Sequence, residues 1–114
     1  MVTSERRQFP RVDSSNNFSY VCLDKNNKIL DHATGRTINI SEGGFLFVTN
    51  LEMKENYSLI ATIELTDGEV KLLGQIVHCQ SLRHDKHIAG VFIKEIFNNG
   101  RPLWKRFIDR LLAG

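Results

Sequence analysis

Alternation is the feature that constrains this chain most. Tyr57, Leu59, Ala61, Ile63 and Leu65 alternate with Ser58, Ile60, Thr62 and Glu64, and beyond Thr66-Asp-Gly the residues Val70, Leu72 and Ile76 again face one way. A period of two gives an extended strand one buried and one open face, and a Gly-containing turn between two such runs joins them as a tight hairpin. A helix would scatter the same apolar residues around its whole circumference.

Similar short runs, rich in β-branched and aromatic residues, continue on both sides of this hairpin. The sequence predicts six strands, near Phe18 to Asp24, His32 to Ile40, Gly44 to Thr49, Tyr57 to Leu65, Glu69 to Cys79 and His87 to Lys94. The breaks are Lys25-Asn-Asn-Lys, Ser41-Glu-Gly, Asn50 to Asn56, Thr66-Asp-Gly and Arg83-His-Asp-Lys. Gly74 interrupts one strand, where a bulge or a close backbone approach would let the sheet curl into a barrel. After Asn98-Asn-Gly the period changes: Leu103, Trp104, Phe107, Ile108, Leu111 and Leu112 recur at three- and four-residue steps, with Pro102 in the first turn of an amphipathic helix.

The expected fold is therefore all-β, a six-stranded antiparallel barrel with a C-terminal α-helix. A single domain over 17–114 follows a flexible basic arm over 1–16, which is polar and broken by Pro10 and Ser14-Ser-Asn-Asn. At 114 residues, 41% of them hydrophobic, the chain supports one core and not two. No apolar run approaches the roughly 20 residues of a membrane span, and the first residues lack the apolar stretch of a secretion signal, so a cytoplasmic location without membrane insertion is expected. Cys22 and Cys79 read as small hydrophobes.

Two motifs carry the chemistry. Residues 6 to 11 read Arg-Arg-Gln-Phe-Pro-Arg, placing three guanidiniums, Arg6, Arg7 and Arg11, on a short extended segment. An arginine fork grips a phosphate or the O6/N7 edge of guanine with two parallel hydrogen bonds, and its flat face stacks on a base. Alone, such a run also fits a solvated basic arm. The second motif is Asn39-Ile-Ser41-Glu-Gly-Gly44, at the junction of two strands. Alone it fits a plain turn. Asn39 and Ser41 nevertheless share a face of an extended chain, and Gly44 would let a ligand approach the backbone.

Together, the two motifs resemble those of PilZ domains, bacterial receptors for cyclic di-GMP, whose RxxxR run precedes an (Asp/Asn)-x-Ser-x-x-Gly turn. Arg7-Gln-Phe-Pro-Arg11 and Asn39-Ile-Ser41-Glu-Gly-Gly44 fill both patterns, and His87-Ile-Ala-Gly-Val-Phe is similar to the family's last strand. The resemblance implies the barrel read above from periodicity, and a ligand site of Arg6, Arg7, Arg11, Asn39, Ser41 and Gly44. Arg7 and Arg11 would clamp phosphates and guanine Hoogsteen edges. Asn39 would bond a guanine's amide or amino edge, Ser41 would contact guanine or phosphate, and Gly44 would keep the turn's shape. Asn39 stands where Asp is commoner, exchanging a carboxylate for an amide facing the guanine N1–H and N2–H donors. Arg6 implies two intercalated ligand molecules per chain.

The function so implied is that of a cyclic di-GMP receptor or adaptor in the bacterial cytoplasm. It would signal through ligand-induced ordering of the arm and through a separate, unidentified protein partner. Two alternatives differ in class: a small β-barrel that binds nucleic acid on Phe9, Phe18, Phe45, Phe47 and Trp104, and a PilZ-like protein-interaction module that binds no nucleotide. The intact arginines and the apolar setting of all these aromatics but Phe9 argue for the receptor, and no DNA or RNA partner is expected. His78, Cys79, His84 and His87 match no zinc spacing, and no nucleophile, base and orienter stand out, so neither a metal cofactor nor an enzyme activity is expected.

Overall fold

The alternating runs pair as antiparallel strands of a sheet that closes on itself. A computed structural model describes residues 9–114. The chain passes through β1 (Val12–Asp13), β2 (Asn17–Leu23), β3 (Ile29–Ser41), β4 (Gly44–Thr49), β5 (Ser58–Leu65), β6 (Gly68–Arg83), β7 (Lys86–Ile96) and α1 (Arg101–Ala113). The spatial order is β3-β2-β5-β6-β7-β4, and β4 pairs back with β3, which closes the six-stranded antiparallel barrel and protects its edges.

The buried faces supply an aromatic interior. Phe18, Tyr20, Phe45 and Phe47 meet at ring-centroid separations of 5.2 to 5.9 Å, several of them edge to face. Helix α1 lays Trp104 and Ile108 against this core, with the Trp104 ring 6.4 Å from Phe45. The only polar end of the indole donates from Nε1 to the Ser41 carbonyl at 3.1 Å, so the helix is tied to the β3–β4 corner. Tyr20 and Thr49 hydroxyls pair at 2.7 Å, and burial raises the Tyr20 phenol above its ordinary pKa. Burial, with a smaller contribution from Asp31, pushes the Cys22 thiol up to about 11, which keeps it protonated and unreactive.

The predicted strands and helix are present, and several strands run further than their alternation showed. The β6–β7 hairpin continues to the pair Arg83 and Lys86, and β3 begins at Ile29. These extensions are largely exposed on both faces, so no period of two marks them. Gly74 marks the bulge expected there, with the register shifting between Leu73 and Gly74, and the close neighbour is a side chain and not backbone: a Cβ would lie 2.4 Å from Val91 Cγ1.

The segment read as an arm joins the barrel from Val12 onward. Val12 and Asp13 pair with Ile40 and Asn39 of β3, on the line that β2 continues from Asn17 opposite Arg36. Between them Thr37 is enclosed: its amide donates to the Asn16 carbonyl at 3.0 Å and its hydroxyl to the Ser14 carbonyl at 2.6 Å. Val12 packs toward the core, which sets Arg11 and Asp13, its neighbours, on the outer face.

Candidate functional site

The site grows from one row of opposed residues on the barrel's outer wall. Asp13 faces Asn39, Asn39 faces Leu46, Leu46 faces Gly90 and Gly90 faces His78, crossing β1, β3, β4, β7 and β6 in turn. Directly opposed residues project from the same side of a sheet. The row, with Arg11, Val77 and Val91, lines a cavity of about 490 Å³.

Two bulges aim the polar members of this row. Thr37 is buried opposite Phe47, and strict alternation from Thr37 would turn Asn39 inward. The register shifts between Thr37 and Asn39, leaving Ile38 as the extra residue and sending Asn39 outward opposite Leu46. The same device acts in β6. Ile76 is buried opposite Val91, Val77 is the extra residue, and His78 emerges opposite Gly90. Bulges re-aim side chains in this way beside binding sites in many sheets.

Arg11 and Asn39 are brought together: Arg11 Nη1 donates to Asn39 Oδ1 at 2.8 Å. This bond joins the arginine run to the Asn-x-Ser-x-x-Gly corner across 28 residues of sequence. It also sets the amide, since with Oδ1 accepting from a guanidinium the Asn39 Nδ2 donors point away from it. The other predicted arginines, Arg6 and Arg7, lie outside the described residues.

Ser41 and Gly44 serve the corner itself. Ser41 is buried and its hydroxyl donates to the Gly44 carbonyl at 3.2 Å. A Cβ on Gly44 would sit 2.1 Å from the Val91 carbonyl oxygen. The close approach this glycine permits is thus by strand β7, and the space expected to be open to a ligand there is filled by backbone. At Gly90 the reverse holds. A Cβ there meets only ordinary contacts, at 3.5 Å from His78 Cβ, 3.9 Å from Leu46 Cδ1 and 4.0 Å from Val77 Cγ2. Its missing side chain leaves a shallow recess in mid-row between Leu46 and His78.

Asp13, Leu46, Val77, His78, Gly90 and Val91 line the cavity and are absent from the ligand site expected from sequence, where His78 was weighed only as a metal ligand. The signal for His78 and Gly90 was present only in the pairing of distant strands. Among the described residues, no three or more His, Cys, Asp or Glu side chains are grouped to hold a metal ion, and Ser81 and His87 hydrogen-bond at 3.2 Å. Phe18, Phe45, Phe47 and Trp104 are all buried, which removes them as stacking platforms, while Phe9 is partly exposed and lies against Gly43. Among the described residues no helix is long and apolar enough to cross a membrane.

Comparison with known proteins agrees with the fold. A family model described as PilZ domain matches residues 5–110. A search of curated sequences returns no significant match. Among solved structures, the chain is similar to the Bacillus subtilis inhibitor of motility MotI/DgrA (TM-score 0.72, 20% identity, covering 95% of this chain and 52% of that one). It is also similar to the PilZ domain of YcgR from Escherichia coli, solved with c-di-GMP (TM-score 0.71, 12% identity, 95% and 92% covered). MrkH of K. pneumonia in its apo state matches at TM-score 0.69 and 16% identity, with 91% and 50% covered. The chain spans about half the length of the MotI and MrkH chains.

Proposed function

Because the chain belongs to the PilZ domain family, we propose that it is a receptor for cyclic di-GMP that acts as an adaptor toward a separate protein partner. The observation that carries this reading is the 2.8 Å bond from Arg11 to Asn39, which joins the two motifs in the lining of one cavity. The YcgR PilZ domain, solved with c-di-GMP, shares the fold and lends the reading its ligand.

In this reading Arg11, with Arg7, grips phosphate oxygens and the O6/N7 edge of guanine. The Nδ2 donors of Asn39 meet an acceptor of the base. Ser41 and Gly44 hold the turn from which Asn39 projects. A micromolar ligand requires about 8 kcal/mol, and charge-assisted hydrogen bonds contribute roughly 1.5 to 3 kcal/mol each, so three or four suffice after ordering costs. Arg6 adds a third guanidinium that offsets repulsion between two stacked dianions, giving two ligands per chain. Residues 1 to 11 close over the ligand, and the surface so formed is what the partner reads. With cyclic di-GMP as the ligand, the setting that goes with this reading is the bacterial cytoplasm.

Calorimetric titration with cyclic di-GMP tests the reading. Saturable micromolar binding at two ligands per chain, falling to one in Arg6→Leu, is expected. A titration without saturable binding would remove the proposed function, and a ratio of one in the unaltered protein would remove the paired-ligand part. Hydrogen exchange over residues 1 to 11 tests the closure, which predicts added protection on binding.

A further inference from the structure

Among the described residues that line the cavity, one carries a carboxylate. Asp13 lies opposite Asn39 at the end of the outer row, two residues from Arg11 on the same extended segment, and lines the cavity with both. Residues two apart on a strand share a face and stand roughly 7 Å apart. Arg11 and Asp13 therefore present a donor fork and an acceptor pair side by side, with the Asn39 amide beside them.

An exposed carboxylate in a site for a doubly negative ligand is unfavourable unless the ligand brings donors to it. Guanine brings two. Its N1–H and N2–H lie on one edge and match the two oxygens of a carboxylate, while its O6 and N7 match an arginine fork. The Asn39 amide oxygen is already engaged by Arg11, which leaves Asp13 as the charged acceptor among the cavity's described residues. Adenine offers an acceptor at N1 and no N2–H, so it would set a lone pair against the carboxylate.

We infer that Asp13 determines the base specificity of the site by accepting the N1–H and N2–H of guanine, and that it discriminates against adenine. This rests on the reading of the cavity as a cyclic dinucleotide site. Sites that hydrogen-bond a substrate group reject analogues lacking it strongly, because the protein's own polar group is then left unmatched.

The test compares cyclic di-GMP with cyclic di-AMP by calorimetry on the unaltered protein, Asp13→Asn and Asp13→Ala, with melting temperatures measured in parallel. The unaltered protein should prefer cyclic di-GMP at least about 100-fold, and both variants should narrow that ratio at least about tenfold at unchanged melting temperature. Simple relief of charge repulsion would strengthen both ligands equally and leave the ratio intact, and that result overturns the inference. Equal binding of both ligands by the unaltered protein overturns the inference while the dinucleotide site stands. Absence of binding by either ligand overturns the proposed function and this inference with it.

Discussion

Gly44 and Gly90 lie on adjacent strands of the same wall, and they are glycines for opposite reasons. At Gly44 the place of a side chain is taken by the Val91 carbonyl, 2.1 Å from an added Cβ. At Gly90 the nearest atom is 3.5 Å away and belongs to an outward side chain. The first glycine is required by the packing of β4 on β7, and the second is required by nothing inside the barrel. The same division runs through the corner motif. Ser41 donates to the Gly44 carbonyl and its own carbonyl accepts from Trp104 of the helix, whereas Asn39 faces outward and is met by Arg11. A motif that reads as one unit in sequence thus has a half that holds the fold and a half that faces the cavity.

Substitutions can break this division, and the largest effect is expected on the holding half. Trp104→Ala removes a fully buried indole and its bond to the Ser41 carbonyl, and should cost about 4 kcal/mol, a drop in melting temperature of roughly 15 °C by calorimetry. Gly44→Ala forces β4 and β7 apart and should cost about 2 to 3 kcal/mol by denaturant unfolding. If either protein melted like the unaltered one, the corner would not be structural.

The outward half should respond the other way. Arg11→Ala is expected to weaken cyclic di-GMP binding at least about tenfold, near 1.4 kcal/mol, with little change in melting temperature because the guanidinium lies outside the core. Gly90→Ala should fold at least as well as the unaltered protein, since alanine loses less chain entropy on folding, yet bind several-fold more weakly because the methyl fills the recess. A Gly90→Ala protein that unfolds easily, or binds unchanged, would erase the contrast with Gly44.

Much of this was legible in sequence, and what escaped has a physical cause. The β5–β6 hairpin, the curl at Gly74 and the α1 stripe follow from periodicity, which depends only on which faces are buried. Asn39 and Arg11 stood out by their chemistry, and their joint role came from the resemblance to PilZ domains. The bulges at Ile38 and Val77 were hidden because both extra residues are apolar and look like continuing core, so nothing in the pattern shows that Asn39 and His78 change face. Asp13 was hidden because a two-residue strand has no period, and its partner is 26 positions away in β3. Gly90 has meaning only beside Leu46 and His78, neighbours supplied by other strands.

Backbone chemical-shift mapping by NMR, with cyclic di-GMP titrated into isotopically labelled protein, addresses the placement of the ligand most directly. The outer row should move most, with the largest changes at Arg11, Asp13, Asn39, Leu46, His78 and Gly90. Changes centred instead on the separate cavity lined by Asn17, Thr34, Thr62 and Glu69, with the row unmoved, would contradict the account.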